Sequence, residues 1–216
     1  MVLSVNGIPI IALELKDQLT GQSVANAKKQ FMTDRNPKEF CFRFDNRFLV
    51  YFAVDLYEAA MTTKLDGEKT FFLPFNQGSN GAGNVGGKGN PENKNGYATS
   101  YLWEKVLTKD GLLNIIQRFL QRVEEEKIVY SNGKEVREKS VKLIFPRFHQ
   151  LDVVSKLTAD VKANGSGHNY LIQHSAGSGK SNSIAWLAYR LTELHDKDNK
   201  PIFTSVIVVN DRTVLD

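Results

Sequence analysis

The sequence predicts an α/β protein organised in two parts. Short apolar runs flanked by turn residues fill the first 75 positions, as strands do. Apolar residues recur at helical spacing after residue 148. Between the two lies a stretch, 76–96, in which seven of 21 residues are Gly and six are Asn. That stretch has no apolar face to bury, so a mobile loop or linker is expected there.

The first elements follow from local chemistry. Met1 to Val5 and Ile8 to Lys16 flank Asn6-Gly7, a two-residue hairpin signal. Gln22 to Met32 reads as a helix, with Val24, Ala27 and Phe31 on one side. Arg47 to Val54 and Tyr57 to Lys64 read as two further strands joined near Asp55. Beyond the Gly/Asn-rich stretch, Asp110 is expected to cap a helix carrying Leu112, Leu113, Ile116, Phe119, Leu120 and Val123. The acidic run Glu124 to Glu126 would end it, and Ser131-Asn132-Gly133 would turn. Leu151, Val154, Leu157 and Val161 mark a helix stopped by Asn164-Gly165. Tyr170 to Gln173 is expected as a short strand. Ile184, Leu187, Leu191 and Leu194 lie on one face of a helix. Ile202 to Val209 is expected as a buried parallel strand, which would complete a βαβ unit.

Composition narrows the class. The 216 residues are 41% hydrophobic and 24% charged, ordinary for a globular protein and wrong for a disordered tail, coiled coil or fibre. The longest unbroken apolar run is Phe48 to Val54, whereas a bilayer span needs about 20 such residues. No membrane association is therefore expected. The N-terminus, MVLSVNGIPI, lacks a basic leader, so no signal peptide is expected. Cys41 is the single cysteine, which excludes an internal disulfide and fits a reducing, cytoplasmic location. The net charge of +4 permits a polyanionic partner without demanding one.

The strongest motif is His174-Ser175-Ala176-Gly177-Ser178-Gly179-Lys180-Ser181, between an expected strand and an expected helix. Glycines let a backbone curl so that successive N–H groups point at phosphate oxygens, and a helix starting there adds its positive end. Lys180 would reach the β- and γ-phosphates, and the Ser181 hydroxyl would ligate Mg²⁺. The first position of such loops is usually Gly; here it is His174. Upstream, Gln150 in Phe145-Pro146-Arg147-Phe148-His149-Gln150 has an amide able to pair with an adenine edge, or it is a surface residue at a helix start. Arg212, in 210–216, either touches a nucleic-acid phosphate or caps a surface turn.

Glu14 and Lys16 are two apart on an expected strand, so both leave one face while Leu13 and Leu15 face the other way, into a core. With one more carboxylate, such a pair can hold Mg²⁺ and activate water for phosphodiester cleavage. Glu–x–Lys also occurs at Glu92/Lys94 and Glu125/Lys127 as solvated charge, and a solvated strand edge is the alternative for the first pair. His149, His168, His174 and His195 lack metal-ligand spacing.

Taken together these residues resemble the N-terminal part of the restriction (R) subunit of type I restriction–modification enzymes. The resemblance rests on VNGIPIIALELKDQLTG, MTTKLDGEKTFFLPFNQG, NGYATSYLWEKVLTKDGLL, IFPRFHQLDVV, NYLIQHSAGSGKSNSIAWLAYRL and SVIVVNDRTVLD, nearly the whole chain. It implies a partial PD-(D/E)xK-type endonuclease domain over 1–75, a linker over 76–100 and a helical and hairpin connector over 101–145. The first βαβ unit of a RecA-like, superfamily-two helicase motor would occupy 146–216. It further implies a type I site-specific deoxyribonuclease that binds ATP, Mg²⁺ and double-stranded DNA alongside methylation and specificity subunits. Glu14 and Lys16 would be the nuclease pair, with Glu14 on the metal. Ser175, Ala176, Gly177, Ser178, Gly179, Lys180 and Ser181 would form the phosphate loop, Gln150 with Arg147 would read adenine, and Asp211 and Arg212 would lie in a DNA-contacting motif.

The chain also departs from that family. No Asp precedes Glu14, and Ala27 and Phe31 replace a Gln–x–x–x–Tyr pair. An Asp-Glu-x-His box and an arginine finger are missing, and phosphoryl transfer needs those charges. The expectation is a piece truncated at both ends that binds Mg-ATP weakly and neither hydrolyses it nor cuts DNA alone. A non-catalytic interaction module, holding nucleotide, DNA or partner subunits, and a segment of another helicase-like P-loop ATPase are the other readings.

Overall fold

Asn6 and Gly7 both take positive φ, 50° and 80°, and close a tight hairpin between β1 (Val2–Val5) and β2 (Ile8–Leu15). That geometry matches strand twist and tolerates only such residues. In this computed structural model, which describes residues 1–131 and 134–210, the chain forms two compact units, Met1–Arg147 and Phe148–Asp216. The first is mixed α/β and the second, as far as described, is helical.

The first unit carries a mixed five-stranded sheet in the order β1-β2-β3-β4-β5. After β2 comes helix α1 (Val24–Thr33), then β3 (Val50–Val54), which runs parallel to β2 with Leu13 opposite Phe52 and Glu14 opposite Ala53. β4 (Ala59–Thr62) and β5 (Leu73–Pro74) add on antiparallel. α1 covers one face of the sheet, where Ala12, Tyr51 and Ala53 pack with Ala27 and Phe31. On the other face Phe52 lies edge-on to Phe75 and Phe145. Both faces of β3 are thus buried, which suits its continuous apolar sequence. Leu13 is buried as expected, but Leu15, the last strand residue, is exposed.

The Gly/Asn-rich stretch is pinned to this sheet rather than trailing free. The Asn76 side chain accepts from Ala59 N at 2.8 Å, and the Asn90 amide donates to Tyr57 O at 2.8 Å and Asn76 Oδ1 at 3.0 Å. Gly78 N donates to Gly89 O at 2.8 Å. Asparagine amides supply here the hold that apolar residues supply elsewhere.

Helix α2 (Lys109–Arg118) is capped by Thr108, whose hydroxyl accepts from Gly111 N, so Asp110 lies inside the first turn instead of capping it. The helix stops before Val123. Gln121–Ser131 (β6) and Lys134–Ile144 (β7) pair antiparallel over eleven positions, so Glu124 to Glu126 lie on a strand and not at a helix end. Cross-strand charge pairs such as Lys142–Glu125, at 2.6 Å, favour that hairpin. Of the expected 131–133 turn, residues 132 and 133 lie outside the described residues.

In the second unit, α3 (Phe148–Asn164) ends where Gly165 turns left-handed and its N–H bonds Val161 O at 2.8 Å. α3 packs on α4 (Lys180–Thr192), burying Val154, Leu157 and Trp186. The two expected strands are absent among the described residues. Tyr170 to Gln173 and Ile202 to Val209 pair with no strand, and Leu171 and Ile207 are 93% and 83% exposed. The described βαβ unit is therefore reduced to a loop and a helix. An apolar parallel strand needs neighbours on both sides, and neither segment has one. Among the described residues no helix is long and apolar enough to cross a membrane.

Candidate functional site

The loop from His174 to Gly179 leads directly into α4, which begins at Lys180 with Gly179 as its N-cap. Gly177 and Gly179 are left-handed, with φ of 70° and 79°. Such alternation of handedness builds a backbone concavity with converging N–H groups, and the start of α4 adds partial positive charge. Lys180 Nζ folds back to His174 O at 3.2 Å and Ser175 O at 3.0 Å. The ammonium therefore sits over the loop, held by neutral carbonyls that an anion can displace. Ser181 follows in the first turn, with an exposed hydroxyl-bearing residue available to a cation beside the loop. Glycine bends, a helix start, an ammonium and a hydroxyl together fit a Mg-nucleotide phosphate chain.

The loop is anchored by the first turn of α3. His149 Nε2 lies 2.9 Å from Ser178 O, and Gln150 Nε2 donates to Gly179 O at 2.8 Å and more weakly to Ser178 O at 3.4 Å. Gln150 is only 3% exposed. Its amide nitrogen is thus engaged with the loop backbone instead of facing outward to an adenine. The His149 and His174 rings meet edge to face, 4.8 Å apart. Burial lowers the His174 pKa, with Lys180 adding to the effect and Asp152 opposing it. Arg147 closes the first unit, half-buried, and burial lowers its pKa from the usual guanidinium value. Asp211 and Arg212 lie outside the described residues.

In the first unit, Glu14 leaves the face of β2 that α1 covers, and Lys16 lies one residue past the strand's end, which falls short of the expected boundary. Arg35, just past α1, donates to Glu14 Oε1 from Nη2 at 2.5 Å and from Nε at 3.1 Å. Lys16 Nζ donates to Gln30 Oε1 at 2.5 Å. Asp55 follows directly on the parallel strand β3. Its Oδ1 accepts from Tyr57 N and Glu58 N, and its Oδ2 from Val24 N and Gln18 Nε2. Among the described residues no three His, Cys, Asp or Glu side chains gather to hold a metal. With Glu14 neutralised by a guanidinium and Asp55 occupied by four donors, Mg²⁺ does not fit this arrangement.

Sequence reading missed Arg35, Gln30 and the anchoring role of His149. Nothing in the spacing of Glu14 and Arg35, 21 positions apart, announces their pairing. No family model, curated protein or solved structure matches the chain.

Proposed function

We propose that this chain is a nucleotide-binding piece of a DNA-handling ATPase of the type I restriction R-subunit kind, with the loop 174–181 as its ATP site. The observation that carries the reading is the pair of left-handed glycines, Gly177 and Gly179, immediately before a lysine that opens a helix. The motif resemblance read in the sequence, above all Gly177-Ser178-Gly179-Lys180-Ser181, points the same way. In this reading backbone N–H groups around Gly179 and Lys180 hold phosphate oxygens. The Lys180 ammonium leaves His174 O and Ser175 O to meet the β- and γ-phosphates, and Ser181 would hold Mg²⁺, which neutralises charge on the phosphate chain when bound. Double-stranded DNA and the methylation and specificity subunits are the partners this reading implies.

The nuclease half of the family reading receives less support. Mg²⁺ does not fit at Glu14 as Arg35 holds it, and Glu14 and Lys16 are engaged by Arg35 and Gln30 instead. A second reading, a non-catalytic nucleotide- or subunit-binding module, is favoured by that ion pair. Isothermal titration of Mg-ATP tests the shared core of both readings. Binding by the wild-type chain and its loss in Lys180→Ala are expected. Equal heats and affinity in the two proteins would refute the site.

A further inference from the structure

Two neighbouring carbonyls of the loop, Ser178 O and Gly179 O, are both gripped from the first turn of α3. In a trans peptide the carbonyl and the following N–H point in opposite directions. Holding Ser178 O toward α3 therefore turns Gly179 N–H away from it, and holding Gly179 O does the same for Lys180 N–H. Those two N–H groups lie where the helix start already favours an anion. The grip is built to one geometry. Gln150 is almost fully buried, and a Cβ on Gly179 would come within 2.6 Å of its Nε2, so a larger residue there would push the amide aside. A carbonyl can only accept, so His149 must donate from Nε2, which fixes its neutral tautomer.

We propose that His149 and Gln150 are positioning residues for phosphate: a two-point clamp that presets the Gly179 and Lys180 amides before ligand arrives. This rests on the reading of the loop as a phosphate site and assigns Gln150 a task other than adenine recognition. The clamp acts on the phosphate chain alone, so it serves inorganic pyrophosphate as well as a nucleotide.

The test is calorimetric titration of Mg-pyrophosphate into the full chain and into Gln150→Leu, His149→Ala and His149→Gln, with Lys180→Ala as control. Thermal unfolding identifies any variant that fails to fold. Gln150→Leu keeps the volume and removes the donor, and it should weaken binding about tenfold, the worth of one buried hydrogen bond. His149→Ala should weaken it several-fold, and His149→Gln, which restores a side-chain N–H, should recover most of that loss. Recovery by glutamine is a readout that a mere packing role would not give. If Gln150→Leu does not fold, the alanine–glutamine comparison at His149 decides. The clamp is overturned if wild type binds pyrophosphate, Lys180→Ala does not, and the folded His149 and Gln150 variants bind like wild type. Failure of the wild-type chain to bind pyrophosphate or Mg-ATP would instead overturn the loop reading and the clamp with it.

Discussion

Replacing Gly179 by alanine separates two costs that Gly177 cannot. Both glycines are left-handed, and an L-residue there costs roughly 1–2 kcal/mol. At Gly177 an added Cβ meets nothing within 4 Å, so Gly177→Ala should cost only that backbone term. At Gly179 the Cβ would lie 2.6 Å from Gln150 Nε2. Gln150 would have to shift in its buried setting and give up its bond to Gly179 O, a further cost of about 1–3 kcal/mol. Gly179→Ala should therefore destabilise the second unit by about 2–5 kcal/mol, clearly more than Gly177→Ala. Urea unfolding followed by Trp186 fluorescence in a Trp103→Phe background measures it, since Trp186 is buried in α4 and Trp103 lies in the other unit. Equal destabilisation by the two alanines, within about 0.5 kcal/mol, would refute the contact between Gln150 and the loop and the reasoning built on it.

Two further outcomes are expected. A double-mutant cycle with Glu14→Gln and Arg35→Gln should return a coupling of about 1 kcal/mol in the unfolding of the first unit; this part-buried pair is screened on the arginine side, and zero coupling would mean a solvated edge. His174 has a depressed pKa in the folded state, so below the ordinary histidine value of about 6.5 the unfolded chain binds more protons. Stability should thus rise with pH through that window and fall on acidification, His174→Asn should flatten the slope between pH values of about 5 and 7, and an unchanged slope would contradict the assignment to His174.

What the sequence disclosed was what local chemistry decides. Asn6-Gly7 can scarcely avoid a tight hairpin, and Asn164-Gly165 stops α3 where glycine can turn left-handed. A helix after Lys180 was legible from apolar spacing, but its buried face carries Ser183, Trp186 and Arg190 while Ile184 of the expected face is exposed and Leu194 lies past its end. What stayed hidden depended on partners distant in the chain. The asparagines of 76–96 look like linker residues until Ala59 and Tyr57 are seen to bond them. Val123 to Glu126 read as the end of a helix because their pairing with Lys139 to Lys142 is a cross-strand fact. Ile202 to Val209 reads as a buried strand on composition, but a strand exists only where another backbone offers a ladder, and among the described residues none does. Glu14 carried chemical suggestion in its spacing from Lys16; the guanidinium that neutralises it came from 21 residues away.

The central claim concerns backbone amides, so amide resonances test it most directly. Titrating Mg-ATP into isotopically labelled chain should move the N–H signals of Gly177, Gly179, Lys180 and Ser181 together, with one shared saturation curve, while residues on β1 stay fixed. If those four signals hold still while the nucleotide binds, or if no nucleotide binds at all, the loop is a glycine-rich turn and its assignment as a phosphate site is wrong.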